Sequence, residues 1–114
     1  MTCLATLASN PTADAIWAAV PLEARGSRWG DEFYFSVRVQ VPDAADDAQE
    51  VVGVGDVAFW PPGNAVCIFW GPTPASEGSE PRAASPVTVF AQIAEGADAL
   101  ASLPSGTPIR LERA

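Results

Sequence analysis

Glu32 and Tyr34 are the residues of this sequence best suited to acid–base chemistry. They stand two positions apart in a strand-like segment, and alternate residues of a strand point to the same side. A carboxyl group beside aromatic side chains has its pKa raised by desolvation, which suits proton transfer near neutral pH. Two interpretations stay open. Either the two residues act as acid and base in a shared pocket, or the carboxylate pairs with Arg28 or Arg38 and the tyrosine packs at a rim.

A second set of candidates surrounds the segment Gly55–Ser76, which is rich in tryptophan and proline. Trp60 and Trp70 end two apolar runs that flank a Pro-Pro-Gly-Asn turn. Such residues either pack in the core or line a ligand pocket at the mouth of a barrel. Arg82 is the single cation of the following Pro- and Ser-rich stretch, where it would hold a ligand carboxylate or phosphate. We therefore expect Trp60, Trp70 and Arg82 to share the pocket of Glu32 and Tyr34.

The two cysteines do not predict a metal site. Cys3 and Cys67 are far apart in sequence, and the chain contains no histidine. Two thiols cannot complete a four-ligand zinc site, and without histidine the Ser-His-Asp and Cys-His types of catalysis are excluded. Cys67 lies in the apolar run 65–70, which favours a buried reduced thiol over a reactive one. No metal and no cofactor is predicted.

Composition limits the class of protein and its partners. A chain of 114 residues with an apolar fraction of 48% is typical of one globular domain, 1–114. Fourteen acidic residues against six arginines give a net charge of −8, which argues against nucleic-acid binding. No apolar run is long enough for a membrane helix, and the N-terminus lacks the pattern of a secretory signal. We expect a cytoplasmic protein with neither nucleic-acid nor membrane partners.

Hydrophobic alternation predicts a mainly β fold. The clearest strand is 32–41, in which Phe33, Phe35 and three valines fall on one side. We predict six further strands at 3–7, 49–54, 56–60, 65–70, 86–93 and 108–112. Two short helices are predicted: one after the N-cap Asn10, with Pro11 at its first position, and one at 97–103. The acidic stretch 42–50 is interpreted as a solvated loop, with divalent-cation binding as the weaker alternative. This pattern favours a sandwich or, better, a closed barrel.

Several motifs resemble a known family. The stretch Val89–Asp98 is similar to the VFGKVxEGMD segment of cyclophilins, and Val66–Phe69 lies where they have an FFIC strand. The segments WGDEFYF, GDV, WPPG and GPTP, in that order, resemble the small prokaryotic cyclophilin-like family, whose members are mostly of unknown function. The resemblance implies a closed antiparallel β-barrel of eight strands with two short capping helices. It also implies that Trp60, Cys67 and Trp70 lie beside the groove that cyclophilins use.

The sequence departs from the cyclophilins that are prolyl isomerases. It has no FHR segment with the catalytic arginine, no QGGD motif and no active-site histidine. Cys67 and Ala75 stand near the places of a pocket phenylalanine and tryptophan. The leading hypothesis is a domain that binds a small molecule or short peptide in a barrel-side groove without the standard isomerase machinery. The alternatives are a small-molecule enzyme that uses Glu32 and Tyr34, and a weak peptidyl-prolyl cis-trans isomerase.

The front of the chain differs as well. Relatives usually begin with an extra strand before the one predicted at 3–7, so the count of seven strands indicates that their first strand is missing here. A barrel without that strand has an exposed edge, which proteins tend to pair or cover. We expect that a second protomer closes the gap in a homodimer, or that the true start lies upstream.

Overall fold

The computed structural model describes residues 1–42 and 48–114, and nearly all of its regular structure is β. One helix, α1, is present in these residues at Pro11–Ala19, and two short 3-10 turns are at Pro61–Gly63 and Ala97–Ser102. The strands are β1 (Ala5–Leu7), β2 (Leu22–Arg28), β3 (Glu32–Ser36), β4 (Gln49–Val51), β5 (Asp56–Trp60), β6 (Ala65–Phe69), β7 (Arg82–Ile93) and β8 (Thr107–Leu111).

The strands form one strongly curled antiparallel sheet that stays open. Its order is β1-β7-β5-β6-β3-β2-β8, and β4 pairs with the first half of β7 outside this order. In the described residues no ladder joins β8 to β1, so the predicted closed barrel is wrong: the sheet is a half-barrel. The edge strand β1 has only three residues, and β2 pairs with β3 at only two positions. Coverage of the open edge by a second copy stays a prediction.

β2 was not predicted from the sequence, so the predicted count of seven strands was wrong. Its sequence LEARGSR lacks the β-branched and aromatic residues typical of strands. Gly26 explains part of this composition. A Cβ atom at Gly26 would lie 1.9 Å from the ring of Phe33, so the ring packs directly against the β2 backbone. This strand is defined by its pairing with β8 along five residues and by the phenylalanine that lies on it.

The helix α1 begins as its sequence predicts. The side chain of Asn10 accepts a hydrogen bond of 2.8 Å from the backbone N–H of Ala13, and Pro11 occupies the first helical position. Ala13 and Ile16 are buried on the concave side of the sheet. No helix of the described chain is long and apolar enough to cross a membrane.

Other element boundaries shift for local reasons. The predicted strand 32–41 ends at Ser36 because the backbone of Val37 and Val39 bonds to Asn64 instead of a neighbouring strand. β7 begins four residues before the predicted start at Pro86, within the stretch interpreted as loop. The predicted helix 97–103 is present as a short 3-10 helix, Ala97–Ser102. The acidic stretch 42–50 lies largely outside the described residues, so the interpretations given for it remain untested.

Apolar side chains pack on both faces of the sheet. The larger cluster fills the concave face and contains Phe33, Phe35, Phe59, Val66 and Phe90. The smaller cluster lies on the opposite face, where the backbone alternation of the central strands directs their other side chains. Its buried members are Val52, Ala58, Ala65, Cys67, Phe69, Ala83 and Val87, with Tyr34, Trp60 and Val89 packed against them. The candidate site lies on this second face.

Candidate functional site

A pocket of about 260 Å³ opens on the second face of the sheet. It brings together side chains from the β2–β3 turn and from β3, β5, β6 and β7. Its lining is largely apolar and aromatic, with one carboxyl group and one thiol. The lining residues are Trp29, Glu32, Tyr34, Trp60, Cys67, Ala83, Ala84 and Val87.

The turn between β2 and β3 carries Trp29 and leads directly into Glu32, the first residue of β3. The backbone N–H of Trp29 donates to the carbonyl of Glu32 at 3.0 Å, which closes the turn. Gly30 has a φ of +62°, and a Cβ atom there would lie 2.8 Å from the Cα of Thr73. The backbone N–H of Asp31 also donates to the carbonyl of Pro72 at 2.9 Å. The Gly-Pro-Thr-Pro corner therefore fixes the turn that presents Trp29 and Glu32.

Trp60 is fixed by two contacts at the end of β5. Its indole N–H donates to the hydroxyl of Ser85 on β7 at 2.7 Å. Its ring lies over Gly63, where a Cβ atom would be 2.7 Å from the nearest ring carbon. The Pro-Pro-Gly-Asn turn thus leaves space for the indole, and β7 sets its orientation through the hydrogen bond.

The Glu32 carboxyl group is buried in the wall of this pocket. The residue is 5% exposed, and burial raises the pKa of Glu32 to about 7, while hydrogen bonding with the Cys67 thiol lowers it by a smaller amount. Across residues 1–42 and 48–114 it forms no ion pair, since Arg28 contacts Asp31 at 3.5 Å instead. The predicted pairing of Glu32 with Arg28 or Arg38 is absent from these residues. Glu32 therefore changes its charge in the neutral pH range.

Cys67 lies directly opposite Tyr34 in the β3–β6 ladder. The residue is 2% exposed, which agrees with the predicted buried thiol. Burial is the main cause that raises the pKa of Cys67, and the neighbouring Glu32 carboxylate and its hydrogen bond raise it further. The thiol is thereby kept protonated, which makes it a poor nucleophile and a neutral part of the pocket wall.

The structure brings Glu32, Tyr34, Trp60 and Cys67 together but places Trp70 elsewhere. Trp70 packs against the cluster on the concave face. The guanidinium carbon of Arg28 lies 5.3 Å from the centre of its ring, a cation–π contact at the surface. Of the two tryptophans predicted to line this pocket, Trp60 does so and Trp70 does not.

Arg82 is engaged by carboxylates of its own chain rather than by the pocket. Its Nε lies 2.9 Å from Glu80, and its terminal nitrogens lie 3.6 Å from Glu50 and 3.9 Å from Glu77. The hydrogen bond with Glu80 is the main cause that raises the pKa of Arg82. Its backbone carbonyl also accepts a hydrogen bond from the hydroxyl of Thr73. In this position Arg82 orders the loop that precedes β7.

Four of the lining residues were not predicted for the site: Trp29, Ala83, Ala84 and Val87. Trp29 carried one signal, because it lies three positions before Glu32, just ahead of the predicted strand 32–41. The two alanines carried none, since they line the pocket only because β7 begins earlier than predicted. Small side chains at these positions leave the space that a bulkier residue would fill.

The pocket combines aromatic side chains with one group that changes charge near pH 7. Protonated Glu32 donates a hydrogen bond, and ionised Glu32 accepts one or pairs with a cation. The residues that line it include no arginine. The arrangement therefore suits a small ligand with apolar surface and one polar or cationic group, and it lacks a cation for an anionic ligand.

Comparison with known proteins identifies the family. The family model described as Cyclophilin-like matches residues 1–112. The solution structure of a hypothetical protein from Archaeoglobus fulgidus is similar, with 37% sequence identity, a TM-score of 0.82, and coverage of 98% of this chain and 86% of that one. No curated protein matches the chain significantly. The chain belongs to the cyclophilin-like family.

Proposed function

We propose that this cyclophilin-like domain binds a small molecule, or one side chain of a short peptide, in the pocket between Glu32 and Trp60. The observation that supports it is the convergence of a buried carboxyl group and three aromatic side chains from separate elements. Pockets for drug-sized ligands span roughly 300–1,000 Å³, and this one has about 260 Å³. The size favours a ligand of few heavy atoms over an extended peptide.

The tryptophans provide a direct test of binding. Trp29 and Trp60 line the pocket, whereas Trp70 lies on the concave face and Trp17 lies exposed on α1. The indole N–H signals of the ¹⁵N-labelled protein would be followed during titration with a panel of metabolites and short proline-containing peptides. We expect saturable shifts at Trp29 and Trp60 with Trp17 and Trp70 unchanged. Absence of any such response across the panel would contradict the proposal, as would shifts confined to the two control tryptophans.

A second candidate function is acid–base catalysis by Glu32. It is favoured by the carboxyl pKa of about 7, which is suited to proton transfer at neutral pH. Tyr34 lines the same pocket and would orient the substrate hydroxyl or carbonyl. The substitution Glu32→Gln keeps the shape and removes the proton-transfer group. A catalyst would lose activity by about two to four orders of magnitude, whereas a binding protein would keep its affinity for neutral ligands.

Prolyl isomerase activity by the mechanism of the cyclophilins that are prolyl isomerases has little support. That route needs an arginine, and none lines this pocket. We expect no rate above background in a proline-peptide isomerisation assay at high protein concentration. A measurable rate that disappears in Trp60→Ala would instead assign this activity to the pocket.

A further inference from the structure

We propose that the ligand of this pocket is a small organic cation, an alkylated amine or a quaternary ammonium group, with Glu32 as its counter-ion. This proposal rests on the proposed function and names the chemical class that the pocket would take. Three features of the described residues carry it: a buried carboxyl group without a cationic partner, the aromatic lining, and the positions of every arginine in the chain.

The first feature is the unpaired state of Glu32. A buried carboxylate is stable only when it is paired, hydrogen-bonded or neutralised by a proton. Its 5% exposure leaves little contact with water, and no arginine reaches it in residues 1–42 and 48–114. A bound cation would supply the charge that the protein does not.

The second feature is that the chain uses its cations elsewhere. It has six arginines, no lysine and no histidine, and the sequence 43–47 contains none of these. Arg25 donates a hydrogen bond to the Gly106 carbonyl, and Arg28 pairs with Asp31 and lies over the ring of Trp70. Arg82 pairs with three glutamates, Arg110 pairs with Glu23 and Glu112, and Arg113 lies over the ring of Trp17. Arg38 lines a separate groove between β2 and β3. A counter-ion for ionised Glu32 would therefore come from outside the chain.

The third feature is the lining of the pocket. Trp29, Tyr34 and Trp60 line the same pocket as the carboxyl group. Aromatic rings attract cations through their quadrupole, most strongly where water is excluded. The net charge of −8 repels anions and raises the local concentration of cations. The other titratable groups in the lining are the Tyr34 hydroxyl and the Cys67 thiol, and neither supplies a positive charge.

Proton linkage gives the proposal a distinctive signature. Since the pKa of Glu32 is about 7 in the free protein, the ionised fraction increases about tenfold between pH 6 and pH 8. A cation binds the ionised form, so its affinity should increase about tenfold over this range. A neutral ligand that accepts a hydrogen bond from the protonated carboxyl would show the opposite trend.

The test compares choline with 3,3-dimethylbutan-1-ol, its neutral isostere, by the indole N–H signals of Trp29 and Trp60. We expect choline to bind at least tenfold more tightly than the isostere at pH 8, with loss of this preference at pH 6. Glu32→Gln should abolish the preference while the isostere still binds. The matched control is Glu95→Gln, which removes the same charge at an exposed site outside the pocket and should leave the preference unchanged.

The outcomes separate the two proposals. Equal affinities for choline and the isostere, with shifts at the pocket tryptophans, would overturn the cation class and leave the binding pocket intact. Failure of both probes while other panel compounds bind there would also overturn the cation class. Failure of every compound would overturn the proposed function itself. The pH series uses the unmodified protein, so the result does not depend on the folding of a variant.

Discussion

Cys67 stands directly across from Tyr34 in the β3–β6 ladder, one diagonal step from Glu32, which pairs with Phe69. Because the side chains of Glu32, Tyr34 and Cys67 share one face, a carboxyl, a phenol and a thiol meet at a single wall. Burial raises the pKa of both groups; beyond that, Glu32 raises the pKa of the Cys67 thiol further, whereas the hydrogen bond with this thiol offsets part of the rise in the pKa of Glu32. Their chemistry depends on this register.

Glu32 should make the stability of the protein depend on pH. Its pKa is raised to about 7 in the folded state, so between about pH 4.5 and 7 the folded chain binds more protons than the unfolded chain. The free energy of unfolding therefore falls as the pH rises through this window. Since each pH unit is worth about 1.4 kcal/mol, the loss is on the order of 3 kcal/mol.

Urea denaturation at pH 5 and pH 8 measures this effect. Glu32→Gln should lose this part of the pH dependence and be more stable than the parent protein at pH 8, whereas Glu95→Gln should follow the parent curve. A parent and a Glu32→Gln variant with parallel pH profiles would contradict the assigned burial of Glu32.

Cys67 should resist alkylation in the folded protein. Its thiol is 2% exposed and its pKa is raised, whereas Cys3 is only partly buried. Treatment with iodoacetamide followed by mass spectrometry should show rapid modification of Cys3 and modification of Cys67 only after denaturation. Similar rates at the two cysteines under native conditions would show that Cys67 is a reactive thiol and that the pocket wall is open.

Gly26 should tolerate no side chain. Its Cβ position lies 1.9 Å from the Phe33 ring, so Gly26→Ala would displace the ring from the backbone of β2. We expect a loss of about 1–3 kcal/mol in the free energy of unfolding, as for other overpacked cores. The matched control is Gly78→Ala, whose added Cβ would lie 3.4 Å from the flexible Glu80 side chain. A loss no larger than that of the control would contradict the packing of Phe33 on β2.

Arg82 should act on its loop rather than on the ligand. Hydrogen bonds from the backbone of Glu77, the side chain of Arg82 and the backbone of Gly78 lower the pKa of Glu80 to about 2. Arg82→Gln should therefore raise the Glu80 pKa and speed hydrogen exchange at the Glu77 and Gly78 amides, with ligand affinity in the pocket unchanged. A large loss of affinity with normal exchange rates would restore Arg82 as a ligand-binding residue.

About half of the candidate site could be predicted from residue types and strand alternation. Glu32 and Tyr34 differ by two positions and share a face, as predicted. Trp70 is three positions from Cys67, and this odd spacing places it on the opposite face, a signal present in the sequence. Trp29 was detectable by its place three positions before Glu32, whereas the start of β7 depends on pairing with β4 and β5.

The open form of the sheet depends on pairing between strands, which the hydrophobic pattern of a single segment does not predict. β2 has a composition that disfavours strands. It forms because β8 pairs with it along five residues and because the ring of Phe33 packs against its backbone at Gly26. Its pairing with β3 is limited to Ser27 and Arg28, and the sheet diverges beyond them. Alternation predicts which residues lie in a strand but not how many partners that strand has. The resemblance supplied the family correctly and suggested closure that this chain does not have.

The central claim is that the pocket between Glu32 and Trp60 holds a ligand. Its most direct test is the measurement of intermolecular nuclear Overhauser effects between the tightest compound of the panel and the ¹⁵N,¹³C-labelled protein. We predict contacts to the indole protons of Trp29 and Trp60 and to the ring of Tyr34. Contacts to Trp17 or Trp70 in place of these, or none at saturating ligand, would contradict the account.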